Sequence, residues 1–235
     1  MVKSPANAMD AEFLDELGRN FDALSSDPSV GAVIVTGTGT IFSAGVDLKR
    51  LPDLDVAGQN ALVRGLNSAC ASAFGCAKPV IGAINGHAIA GGMVLALCCD
   101  YRIAVGDRSR YGLSEVRVGV PFPFVPYAII ENQLTPQALR RFIQFGQGID
   151  AETARVWGAL DEVVEPNQLM ARARAKATEC LAIPPGGYSK VKHQLRGEVA
   201  DRCRQVVHDD SDPNLGNWIS DEARAAAIAV LKGNS

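Results

Sequence analysis

Apolar positions at helical spacing open the chain. In AEFLDELGRNFDALS (11–25), Phe13, Leu14, Leu17, Phe21 and Leu24 fall on one face, and Asp10 stands where an N-cap belongs. Asp27-Pro28 turns the chain, and GAVIVTG (31–37) reads as a short buried strand. GTGTIFSAGVDLKRL (37–51) reads as a glycine-punctuated loop. From Val56 to Phe74, the spacing of Leu62, Leu66, Cys70 and Phe74 predicts a second amphipathic helix. KPVIGAIN (78–85) is a second buried strand, NGHAIAGGMVLALCCD (85–100) a turn and an apolar helix, and YRIAVG (101–106) a third strand. Beyond about Thr135 the pattern turns helical through LTPQALRRFIQFG, DAETARVWGALDEVVEP, QLMARARAKATECLAI and DEARAAAIAVLKG, with one extended piece at 161–164.

Uniformly apolar strands alternating with helices predict an α/β core whose strands are buried on both faces. No repeat or low-complexity linker divides the chain. The expected organisation is an α/β core over 1–134 followed by a helical region over 135–235. A chain of 235 residues buries roughly 70% of its unfolded surface in one core. The net charge of −3 offers no basic field for nucleic acid, although a local cluster for a phosphorylated ligand stays open. No run reaches the roughly 18 apolar residues of a membrane span, and MVKSPANAMDAEF lacks the apolar core of a signal peptide. Six cysteines (70, 76, 98, 99, 180 and 203) show no metal-ligand spacing, so a reducing, cytoplasmic setting is expected and no metal site is.

Candidate chemistry sits in two glycine loops. FSAGVDL (42–48) and AIAGGM (88–93) each follow a predicted strand, and Gly45 and Gly91-Gly92 leave neighbouring backbone N–H groups open to a ligand atom. Two converging donors make an oxyanion hole. Either loop alone fits a tight turn with close helix–strand packing equally well.

In order, FSAGVDL, KPVIGAINGHAIAGGMVLALCCDYRIA, YGLSEVRVGV and GIDAETARVWGALDEVVEP resemble the enoyl-CoA hydratase/isomerase (crotonase) superfamily over nearly the whole chain. The resemblance implies a spiral of ββα units with a helical C-terminal region that mediates assembly into a homotrimer or hexamer. It implies an acyl-CoA thioester as substrate, with no metal or other cofactor. By motif position, the backbone N–H groups of Val46 and Gly91 form the oxyanion hole, and the backbone around Ala44, Asp47, Leu48 and Lys49 contacts coenzyme A. Against the family pattern the chain begins almost inside KSPANAMD, so the first ββα unit is expected to be incomplete.

Hydratases of this superfamily work with two glutamates. Val94 occupies the position of the first and Glu115, in LSEVRVG, that of the second. One carboxylate suffices to take a proton beside a thioester and return it further along the acyl chain, so Δ3-Δ2-enoyl-CoA isomerisation with Glu115 as acid/base is expected. A divergent hydratase and a non-catalytic acyl-CoA-binding protein are the alternatives. After Glu115 the chain reads GVPFPFVP (119–126), whose rings and prolines are suited to wall off a dry pocket and raise the acid's pKa. They equally suit core packing, with Glu115 paired to Arg117 or Arg110. His87 and Asp100 read as structural, the latter fixing a turn. Ser43 lacks the G-x-S-x-G setting of a hydrolase nucleophile. Lys3, Lys49 and Arg50 are either contacts for the coenzyme A phosphates or solvated surface charge.

Overall fold

Asp10 caps the first helix as its position predicts. The computed structural model describes residues 1, 6–47, 49–106 and 108–233. Within it α1 spans Ala11–Ser26, and the Asp10 carboxylate accepts the Phe13 N–H at 2.9 Å, meeting one of the donors a helix start leaves unpaired. Leu14 and Phe21 are buried, while Phe13, Leu17 and Leu24 pack at the margin of the core. Helix α2, Val56–Phe74, turns Leu62, Leu66, Cys70 and Phe74 inward and lies along α1.

The strands divide between two parallel sheets. β1 (Val33–Thr36), β3 (Val80–Ile84), β5 (Tyr101–Val105) and β7 (Glu162–Val164) make one, in that spatial order. β2 (Ile41–Ser43), β4 (His87–Ile89) and β6 (Tyr111–Gly112) make the other. Each pass of the chain gives one strand to each sheet and then a helix: β1-β2-α2, β3-β4-α3 (Gly91–Cys98) and β5-β6-α4 (Phe124–Gln133). This is the expected α/β spiral of ββα units, but the first unit is not incomplete as expected: β1 and β2 are both paired in their sheets and α2 follows.

Helices α5 (Pro136–Phe145), α6 (Ala151–Val156), α7 (Leu169–Leu181), α8 (Pro185–Asp209) and α9 (Asp221–Gly233) complete the fold. α7 explains the unbroken apolarity of β3. Val80 and Ile84 face the main core, whereas Ile81 and Ala83 face Leu169, Ala173 and Ala177 of α7. A strand covered on both sides has no position left for a polar residue.

Local readings of the chain differ from the structure in places. The loop over 37–51 contains β2 and a 3-10 turn at Leu51–Asp53, and the turn at 85–90 contains β4. Helix begins at Phe124 rather than near Thr135. Of DAETARVWGALDEVVEP only Ala151–Val156 is helical, and its extended piece joins the large sheet as β7 beside β5. α8 stands in a stretch for which no element was predicted. Its buried face consists of Lys192, Gly197, Ala200 and Cys203, so no leucine stripe announces it.

Candidate active site

Three segments leave the same edge of the small sheet. β2, β4 and β6 are parallel with β4 between the others, so their C-terminal ends lie side by side. Ala44–Val46 follows β2, Ala90-Gly91 follows β4, and Glu115 stands three residues beyond β6. Crevices beyond the carboxyl ends of parallel strands are the usual ligand sites of such sheets.

The first two segments touch through glycine. A methyl on Gly92 would meet the Ser43 carbonyl oxygen at 2.2 Å, and one on Gly45, whose φ is +78°, would lie 2.8 Å from the Gly91 nitrogen. Only glycine allows that approach. Ala90, just before the pair, holds φ 52° and ψ −128°, a strained conformation for a residue with a side chain.

Hydrogen bonding sorts the backbone donors of the two loops. Ala44 N–H donates to the Ala6 carbonyl, Gly45 N–H to Ser43 Oγ, Asp47 N–H to the Met9 carbonyl and Lys49 N–H to Asp47 Oδ1. Val46 N–H has no acceptor among the described residues. On the other loop Ala90 N–H donates to the Gly112 carbonyl, and Met93 and Val94 donate to the Ala90 carbonyl. Gly91 and Gly92 N–H, at the start of α3, likewise meet no acceptor among the described residues. The two N–H groups singled out by motif position are thus among those the fold leaves open, and they belong to loops in close contact.

Glu115 begins a 3-10 turn, Glu115–Val118. The residue keeps partial exposure, but its Oε2 is buried and has no hydrogen-bond partner. Burial without a compensating charge pushes the carboxyl up to about 8 from an ordinary value of 4.5, against a smaller opposing effect of its own backbone N–H. No cation is paired with it among the described residues. Arg117 turns away, its Nε donating to the Gly146 carbonyl at 2.6 Å.

Comparison with known proteins gives one consistent result. The family model for enoyl-CoA hydratase/isomerase matches residues 2–228. The chain belongs to the enoyl-CoA hydratase/isomerase family. Mouse mitochondrial enoyl-CoA delta isomerase 1 is 32% identical over 222 residues, covering 93% of this chain and 76% of that protein. Carnitinyl-CoA dehydratase of Citrobacter koseri is 32% identical over 197 residues, covering 81% and 73% respectively. The crystal structure of human mitochondrial delta3-delta2-enoyl-CoA isomerase superposes with a TM-score of 0.89 at 27% identity, over 99% of this chain and 91% of that one.

Val94 stands where the resemblance to hydratases places the first of their two glutamates. That valine is buried inside α3 at 1% exposure. A pocket of about 270 Å³ opens beside Val46 and Asp47, lined further by Met9, Leu54, Ala61 and Leu62, and it reaches neither Gly91 nor Glu115. Ala44 and Lys49 are exposed and Asp47 is half-buried. Leu48 and Lys3 lie outside the described residues. Arg50 reaches Asp10 at 3.6 Å.

The residues read as structural are so placed. His87 Nδ1 accepts the Arg110 N–H, and Ser43 Oγ donates to the Asn7 carbonyl. Asn7 was not foreseen. Its amide donates to the Ile41 and Phe42 carbonyls and secures the entry to the Gly45 loop. No hydrophobic pattern marks such a residue, and its place beside the motif in KSPANAMD is the one available signal.

Proposed function

We propose that this protein is a Δ3-Δ2-enoyl-CoA isomerase. The observation that carries the reading is the Glu115 carboxyl, whose Oε2 is buried without a hydrogen-bond partner, beyond the strand edge that also holds the open Val46 and Gly91 N–H groups. The thioester oxygen takes those two donors, with the coenzyme A portion lying along Ala44, Asp47 and Lys49. Glu115 removes a proton from carbon 2, the negative charge spreads onto the thioester oxygen, and the proton returns at carbon 4. The double bond moves from position 3 to position 2 with no atoms gained or lost. One oxyanion donor contributes roughly 2.7–4 kcal/mol to such a transition state. A carboxyl near 8 is well matched to proton transfer close to neutral pH.

Hydration is the second reading, favoured by the carnitinyl-CoA dehydratase relative and opposed by Val94, which can neither orient water nor carry a proton. A non-catalytic acyl-CoA-binding role would keep the two donors and dispense with turnover. Incubation with a 3-enoyl-CoA in deuterated water, followed by NMR, separates these. Formation of the 2-enoyl isomer without hydroxyacyl product supports isomerisation. Hydroxyacyl product, or binding with neither 2-enoyl product nor deuterium exchange, overturns it.

The exposed apolar side chains Leu181, Ile183, Val191 and Leu195 of the α7–α8 region suit the expected assembly into a trimer or hexamer through the region 135–235, which light scattering measures. All six thiols are free, in keeping with a reducing compartment such as the cytoplasm.

A further inference from the structure

The segment leaving Glu115 cannot hold itself in place. Val120 N–H donates to the Glu115 carbonyl at 3.1 Å, and the chain then runs Pro121-Phe122-Pro123-Phe124. Two of these residues have no N–H, and Pro123 at the start of α4 offers no side-chain cap. The polar groups of the segment therefore need partners from elsewhere.

They find them far along the chain. Phe124 N–H donates to Asp212 Oδ2 at 2.6 Å and Val125 N–H to Asn67 Oδ1 at 3.1 Å, so α4 is capped by side chains of α2 and of the strap that follows α8. Trp218 Nε1 donates to the Pro121 carbonyl at 2.8 Å, and Asn214 Nδ2 to the Phe122 carbonyl at 3.2 Å. Asp212 is the node. It is 5% exposed and also accepts Asn67 Nδ2 at 2.8 Å and, on Oδ1, both nitrogens of Asn214. Its charge at the start of α4 faces the positive end of that helix. The strap itself is tied to α2, with Gly216 N–H donating to Asn60 Oδ1 and Ile219 N–H to Gln59 Oε1.

The charged groups on the elements packed against the Glu115 turn are engaged elsewhere or exposed. Arg117 donates to the Gly146 carbonyl, Arg141 of α5 lies over the Trp157 ring, and Arg224 of α9 donates to the Leu54 carbonyl. Arg140 of α5, with Asp221 and Glu222 of α9, is exposed. Among the described residues no charge from these elements is paired with the Glu115 carboxyl, and burial is the main cause of its raised pKa.

We propose that Asp212 is a positioning residue for Glu115: with Asn67 and Asn214, and alongside Trp218, it holds the Pro121–Phe124 segment in place and so keeps the Glu115 carboxyl dry. This rests on the reading of Glu115 as the acid/base. Asp212 is 5% exposed and engages both carboxylate oxygens within this network. It acts by fixing the wall that determines how basic the carboxylate is, with the strap over 212–218 as the lever.

The test uses the full chain with Asp212→Asn and Trp218→Phe, the latter removing one indole donor while keeping the ring's packing. Two quantities are measured: the pH dependence of kcat/KM on a 3-enoyl-CoA, and the infrared titration of the Glu115 carboxyl with Glu115→Gln as blank. Wild type should titrate near 8. Asp212→Asn should move that midpoint down by about one pH unit or more, with kcat reduced about tenfold and KM changed less, and Trp218→Phe should move it in the same direction by less. If Asp212→Asn does not fold, Trp218→Phe decides. Variants that lose stability while the carboxyl midpoint stays put overturn the proposal and leave Asp212 purely structural. Absence of turnover in wild type overturns the isomerase reading alone, because the infrared midpoints still report whether Asp212 controls the environment of Glu115.

Discussion

Two half-hidden acids stand at opposite ends of the sheets and are treated in opposite ways. Asp100, just before β5, lies at the N-terminal edge of the large sheet with its side chain 11% exposed. It meets Lys192 Nζ at 2.7 Å, Arg196 at 2.9 Å and the Val80 N–H at 2.8 Å. Lys192 and Arg196 go on to the carbonyls of Lys78, Cys98 and Cys99. Glu115, beyond the C-terminal edge of the small sheet, has a buried oxygen with no partner. Buried polar groups are nearly always satisfied, so the first acid is what folding requires and the second is what folding tolerates. Dependence on partners marks the structural acid, and the missing partner on Oε2 is what the proposed role of Glu115 draws on.

The contrast makes two substitutions diverge. Glu115→Gln should reduce kcat/KM for a 3-enoyl-CoA by about 10³-fold, within the usual range for a positioned acid/base, while the melting temperature at pH 8 stays level or rises. A steady-state assay beside a thermal melt checks both, and a variant that melts early with near-normal turnover per folded molecule would reverse the roles of the two acids. Asp100→Ala should do the converse. It leaves Lys192 and Arg196 without their carboxylate and should lower stability by about 3 kcal/mol, read by urea denaturation, with turnover per folded molecule retained.

Part of this division was legible in the residues. Glu115 and Asp100 received their roles from motif position and from the end of an apolar helix, and β1, β3 and β5 announced themselves because strands covered on both faces are uniformly apolar. The strands that carry the site did not. β2, β4 and β6 are three, three and two residues long, too short for any alternation to register, so only the family resemblance implied them. α8 hid for another reason: its inner face anchors Lys192 against Asp100 and brings Gly197 and Ala200 close to the core, work that small and charged side chains do better than leucine. The partners of the Pro121–Phe124 segment were out of reach because they arrive from 88–97 residues away, and no local pattern encodes such a pairing.

The site edge leaves backbone groups open as well as a carboxyl, and Gly45→Ala tests that half of the contrast. The new methyl would press on Gly91 N and the Ile89 carbonyl oxygen at 2.8 and 2.9 Å in a residue held at φ +78°, so the two loops must part. With one donor displaced, kcat/KM should fall by about 10²-fold, and the substrate's KM should change much less than kcat. Unchanged kinetics in a folded Gly45→Ala protein would remove Val46 and Gly91 from the transition state.

The smallest expected effect is the pH dependence of stability, and it bears most directly on whether Glu115 is truly unpartnered. Its carboxyl is raised to about 8 in the folded protein from an ordinary 4.5, so between those values the folded state holds a proton that the unfolded chain has released. Stability must therefore fall as pH rises through that window. From pH 6 to 7.5 the loss should be about 2 kcal/mol. A hydrogen-bonded carboxyl such as Asp150, lowered chiefly by the Thr153 N–H, has the opposite sign, and its contribution disappears only in acid, well below this range. Urea titrations of wild type and Glu115→Gln at several pH values isolate the effect, because the histidines are common to both proteins and cancel in the difference. A declining difference curve means a carboxyl that folding has left dry and unpaired; two parallel curves mean that water or a cation reaches Glu115, and the distinction between it and Asp100 collapses.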